Sequence, residues 1–230
     1  MTFGADYLGG CRFQKQLLNN HPQGWCAGIF LRTFGDARKT VKKMATSKKF
    51  SYIVVHLHPF LNSHNYPKKL TKQMRQDAKW LNQFGEKIWI SPFCEHRHGP
   101  AVMKPIYDDL LKLAPDTGPF INSIWSAPPT IEKNIVNEFH IDKSKNLPKP
   151  LATPYAISFD GFGGDGSGNF SDTDIEALLK KYSDAVNIRW WDFRMNGKLN
   201  WKDKTSVAHR KCWPDKHYLL NRHAMMKTRE

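Results

Sequence analysis

At 230 residues the chain is long enough for one large domain or two small ones, and it can bury a core without covalent staples. It carries 35 Lys and Arg against 21 Asp and Glu, a net +14 that favours anionic partners such as nucleic acid, acidic glycans, lipid head groups or wall polymers. The four cysteines (Cys11, Cys26, Cys94 and Cys212) form no CxxC pair, which argues against structural zinc and against a disulfide framework. No apolar run approaches the roughly 20 residues of a membrane span, and the opening MTFGADYLGGCRFQ lacks the charged start and apolar core of a signal peptide. The expectation is a soluble protein, cytoplasmic by default. A phage lysin or virion protein that reaches a cell wall by lysis or incorporation fits the same pattern, and the oligomeric state is open.

Strand-like and helix-like patterns alternate along the chain. A weak strand over 2–8 leads into a helical RFQKQLLNN. GWCAGIFLR (24–32) is a strand and DARKTVKKMATS a helix. FSYIVVHLH (50–58) is rich in β-branched residues and reads as a strong strand. KKLTKQMRQDAKWLNQFG is a helix with a glycine stop. KIWISPF (87–93) is a strand, and AVMKPIYDDLLKLA is helical despite Pro105. GPFINSIWS (118–126) is a strand, followed by a proline-rich loop and a short helix near TIEKNIVNEF. PYAISFD (154–160), SDTDIEALLKKYS and AVNIRWW (185–191) complete a strand, a helix and a strand.

Seven strands alternating with helices predict an α/β fold, and strands apolar on both faces predict a parallel sheet covered by helices. We expect a (β/α)8-type (TIM) barrel over residues 1–195, incomplete or irregular at its C-terminal end. No convincing eighth strand follows Arg194. Residues 196–230 form a basic segment that packs on or closes the barrel.

Polar residues recur at the C-terminal strand ends, where such barrels place their chemistry. They are Asp6, Arg32, His56 and His58, Glu95 with His96 and His98, Trp125 and Ser126, Asp160, and Asp192 with Arg194. Individual members can serve as structural ion pairs, as Arg32 or Arg194 would by holding an aspartate. As a set they fit glycoside hydrolysis, which needs two carboxylates flanking the sugar bond. Glu95 follows the apolar IWISPFC, whose low-dielectric surface would raise its pKa and suit it to act as general acid. Asp192 and Asp160 compete for the second role. Trp125 and Trp191 offer stacking surface, and His56, His58, His98, Arg32 and Arg194 offer hydrogen bonds to sugar.

The strand order resembles that of TIM-barrel glycoside hydrolases, whose acid/base residue ends strand 4 and whose nucleophile ends strand 7. The resemblance covers about residues 1–195 and is architectural. With 2–8 as the first strand, it implies Glu95 as acid/base and Asp192 as nucleophile, with a glycan substrate and no cofactor. The large retaining clan has Asn before the acid and Glu as nucleophile; here Cys94 precedes Glu95 and the strand 7 carboxylate is Asp. The charge points to peptidoglycan or another anionic glycan.

A second reading is a metal-dependent barrel hydrolase or nuclease, with His56, His58, Glu95, His98, Asp160 and Asp192 holding a divalent metal that activates water. Nucleic acid would then be the natural substrate. A third is a non-catalytic barrel used for binding or virion assembly.

The glycine-rich FDGFGGDGSGNF (159–170) lacks the Gly-Lys-Ser/Thr of a phosphate loop. As an EF-hand counted from Asp165 it has Phe170 where the sharp turn needs Gly. It reads instead as a βα loop running into a helix capped by Ser171, with Asp160 as its chemical content.

Overall fold

A computed structural model describes residues 2–7, 21, 23–32, 35–58, 66–94, 96–124, 129, 132–141, 154–160, 172–191, 194–195 and 212–213. Eight strands form one sheet: β1 (Thr2–Tyr7), β2 (Cys26–Phe30), β3 (Ile53–His56), β4 (Ile88–Ser91), β5 (Phe120–Ile124), β6 (Ile135–Ile141), β7 (Tyr155–Asp160) and β8 (Asn187–Trp191). Each strand is paired in parallel with its neighbour in sequence from β1 to β4 and from β5 to β8, and β1 also pairs with β8. β4 and β5 stand at the two ends of this order, and just past β4 His96 forms an isolated parallel bridge with Ile124 and donates its backbone N–H to Ser123 O at 3.0 Å.

Both faces are buried, which is why β2 and β3 are buried at every position. The outer face carries Ala27, Ile29, Ile53, Val55, Ile88, Ile90 and Ile157, packed in one large apolar core with residues from the helices. The inner face carries a smaller cluster of Val54, Ile121, Val136 and Ala156, against which Tyr52, Trp89 and Val186 pack. Gly4 sits on the inner face between β2 and β8. A Cβ there would lie 2.7 Å from Cys26 O and would also meet Cys26 Sγ and the Arg189 stem.

The helices form where apolar residues recur every three or four positions. They are α1 (Arg38–Thr46), α2 (Lys72–Asn82), α3 (Pro100–Leu113) and α4 (Asp172–Lys181). Helix α2 buries Met74, Ala78 and Leu81 and is capped by Thr71, whose side chain accepts from Met74 N–H at 3.2 Å. Helix α3 begins with Pro100 at a position that needs no N–H donor, and buries Met103, Ile106, Tyr107 and Leu110. Pro105 is tolerated inside it on the exposed side, where water can meet the carbonyl that the proline leaves without its helical donor.

Two expectations are corrected. The segment near TIEKNIVNEF is a strand, β6, entered through a turn at Asn134 with φ 65°. The sheet therefore has eight strands and not seven. Past β8, Arg194–Met195 (β9) pairs antiparallel with Cys212–Trp213 (β10). The helix expected over RFQKQLLNN, most of the basic C-terminal segment, the glycine-rich stretch 161–170 and Ser171 lie outside the described residues.

Candidate active site at the strand ends

The missed strand moves one assignment. Glu95 follows β4 as expected, but the carboxylate that ends the seventh strand is Asp160, and Asp192 follows the eighth. Asp160 is in register with Trp191, and Trp191 with Asp6, so these positions are neighbours at the ends of β7, β8 and β1. Glu95, Trp125, Ser126 and Asp192 lie outside the described residues. Asp160, Trp191 and Arg194 are placed by their strands alone.

The chain on either side of position 95 is anchored by hydrogen bonds. The backbone of 57–58 pairs with the chain just past β4, through Leu57 N–H to Ser91 O (2.9 Å) and His58 N–H to Pro92 O (3.2 Å). Ser91 Oγ donates to Phe93 O at 2.7 Å, and the Tyr66 hydroxyl donates to Cys94 O. Cys94 and His96, on either side of residue 95, are both buried.

His96 is held by a side-chain network on the outer face of the sheet. Its Nδ1 accepts the His98 N–H at 3.1 Å, which leaves the proton on Nε2 to bond Asn122 Oδ1 at 2.7 Å. Asn122 in turn donates to Asn137 Oδ1 (2.8 Å) and accepts from the Tyr107 hydroxyl (2.9 Å). Burial drives the His96 pKa down to about 4; the Asn122 bond opposes the shift and His98 adds to it. This imidazole is a neutral brace.

The other predicted side chains separate into different environments. His98 Nε2–H donates to Tyr66 O at 3.0 Å, so His98 and Tyr66 hold the 92–98 segment between them. His58 is half-buried, with its ring 5.0 Å from Tyr66 and 5.9 Å from Phe93. His56 is 1% exposed and stacked on Phe30 with centroids 4.4 Å apart. Burial, and then the nearby Arg189 cation, hold it neutral. Arg32 grips Asp77 of α2 through Nε (3.1 Å) and Nη2 (2.6 Å), and Asp36 through Nη1 (3.1 Å). It is the structural pair that its strand-end position allowed. Among the described residues no three His, Cys, Asp or Glu side chains are grouped so as to hold a metal ion.

Sequence reasoning passed over the charged pair at the centre. Arg189 of β8 and Glu138 of β6 are both buried on the inner face and form an ion pair. Arg189 is in register with Ser158, two residues before Asp160, so the guanidinium enters the sheet interior just beneath the end of β7. Below it Asn187 Nδ2 donates to the Tyr52 hydroxyl at 2.6 Å, and Tyr52 stacks on Trp89 at 3.9 Å. A charged residue inside the apolar runs IVNEFHI and NIRWW was the available signal, because such residues are buried only when paired.

No family model matches the chain, and no curated protein matches it by sequence. Solved structures match it in shape, among them two glycan-related proteins. The cellulose synthase subunit Z (CcsZ) of Clostridioides difficile aligns with 83% of this chain and 91% of its own, with TM-score 0.51 and 12% identity. An endoglucanase aligns with 90% of this chain and 95% of its own, with TM-score 0.52 and 12% identity. The chain shares a fold with both. That likeness covers most of each partner, so it belongs to the whole sheet with its helices and not to one supersecondary unit. Among the described residues no helix is long and apolar enough to cross a membrane.

Proposed function

We propose that the sheet is a (β/α)8-type barrel and that the protein is a hydrolase cleaving glycosidic bonds in a polysaccharide, peptidoglycan or another anionic glycan. The observation that carries this reading is the fold likeness to an endoglucanase over 90% of the chain. Glu95, after the fourth strand, is the general acid/base. Asp160, at the end of the seventh, is the second carboxylate, and Asp192, which follows the eighth in sequence, is the competing choice. Arg189 and its position under β7 support that choice, because a cation nearby favours an ionised carboxylate. The apolar IWISPFC run before Glu95 favours its protonated form, which would separate the two carboxylates into an acid and a nucleophile or base.

In this mechanism Glu95 donates its proton to the leaving oxygen as the glycosidic bond breaks, and the aspartate stabilises or captures the developing oxocarbenium ion. Trp125, Trp191, Arg194 and His58 position the sugar. His56, His96 and His98 brace the strand ends, and Arg32 anchors α2. Two carboxylates supply the acid and the base, so the chemistry requires no metal. The test is release of reducing ends from peptidoglycan and from carboxymethylated cellulose by the wild type and by Glu95→Gln. The wild type should cleave at least one of them, and the variant should lose about 100-fold or more. Full activity in Glu95→Gln would overturn the assignment.

A further inference from the structure

Charge is distributed unevenly along this chain. Residues 38–85 contain eleven Lys and Arg and one acid, Asp77, which is +10 of the total +14. That acid is buried and bonded to Arg32 and Arg38, while Arg75 pairs with Asp109 of α3. The arginines being so engaged, what remains on the surface is lysine. Lys39, Lys42 and Lys43 on α1, Lys68 just before α2, and Lys72 and Lys79 on it are all exposed. None of the six forms an ion pair with a described residue.

The two helices lie side by side. They follow the adjacent strands β2 and β3, and Arg38 of α1 reaches Asp77 of α2 with its guanidinium 5.3 Å from the Trp80 ring centroid. Both begin on the side of the strand ends, so the lysines run from that side down the outside of the protein. Lys39, Lys42 and Lys43 repel one another at helical spacing, a cost that a merely solvated helix avoids by mixing signs. Helix α3 does mix them, pairing Lys104 with Asp108 at 3.1 Å.

The chemistry of the face narrows its partner. The only exposed large hydrophobic among the described residues is Leu111, on α3, so α1 and α2 offer no wedge for a bilayer. On α1 and α2 the one aromatic among the described residues, Trp80, lies under Arg38 and offers no free platform for unpaired bases. Lysine ammoniums are hydrated point charges that respond to charge density and not to the geometry of one anionic group. Such a face fits a hydrated anionic polymer, and under the hydrolase reading that polymer is an acidic polysaccharide.

We propose that the outer face of α1 and α2 is a docking surface for an acidic polysaccharide, distinct from the strand-end site, that retains the protein on its polymer. The choice of a glycan rests on the hydrolase reading above; the surface rests on the charge alone. The test measures retention on a polyuronate gel in the Glu95→Gln background, so that the polymer stays intact. One variant neutralises the face (Lys39→Gln, Lys42→Gln, Lys43→Gln, Lys72→Gln), and a second reverses the same four to Glu. Retention should fall about tenfold or more in the first, further in the second, and in the parent as salt rises. Unchanged melting temperatures would show that both variants fold. Cleavage of short soluble oligosaccharides by the four-fold neutralised enzyme with Glu95 intact should match wild type. Equal retention of parent and variants would overturn the proposal, as would tighter binding to duplex DNA or anionic vesicles than to polyuronate at the same salt. Failure of the hydrolase reading would appear separately, as absence of cleavage.

Discussion

The proton on His96 sits on Nε2 because the His98 N–H occupies Nδ1, and this commits the ring to its neutral form. Its pKa is lowered from 6.5 to about 4 in the folded chain, so the unfolded chain binds the extra proton between those values. The resulting stability is therefore complete above pH 6.5 and lost as pH falls toward 4, by on the order of 3 kcal/mol. His96→Gln should flatten that part of the stability–pH curve measured by urea unfolding; an unchanged slope would remove His96 from the account. Little of this was legible beforehand. EHRH has ligand-like spacing, but the partner that fixes His96 is Asn122, 26 residues later on another strand. HLH likewise places His56 and His58 two apart, yet the first is sealed against Phe30 and the second lies beyond the strand. For Arg189 and Glu138, Arg189→Met alone should cost about 3–5 kcal/mol by stranding a buried carboxylate, and adding Glu138→Leu should recover much of it. A double-mutant cycle with no coupling would contradict the ion pair.

Among the elements, β6 shows where pattern reading fails. Ile131, Ile135, Val136 and Phe139 fall at helical spacing, but the strand is entered at Asn134, whose positive φ ends any helix there. An Asn tolerates that conformation and a β-branched residue does not, so Asn134→Val should destabilise by about 1–2 kcal/mol while Asn134→Gly stays near neutral in chemical denaturation. Equal effects would mean that the turn does not set the strand. Helices α1, α2, α3 and α4 were readable because their apolar residues repeat over nine or more positions, and α2 and α3 also carry boundary signals at Thr71, Gly99 and Pro100. Missing one strand displaced the count after β5. That displacement is the whole reason Asp192 stood at the end of a seventh strand in the sequence reading while Asp160 stands there in the fold.

At the scale of the molecule, the parallel sheet in chain order follows from the alternation of strand and helix, and the apolar strands required both of its faces to be covered. What the linear pattern did not contain was the polar interior, since Arg189 and Glu138 find each other across β7 only once three strands are in register. The same register sets Asp6, Trp191 and Asp160 side by side. The central claim is that glycan cleavage runs between Glu95 and this group of strand ends, and the kinetics of three single variants on the best-cleaved glycan test it most directly. Glu95→Gln and Asp160→Asn should each lower kcat by about 100-fold or more, with Asp192→Asn closer to wild type. Wild-type kcat in Glu95→Gln would contradict the account.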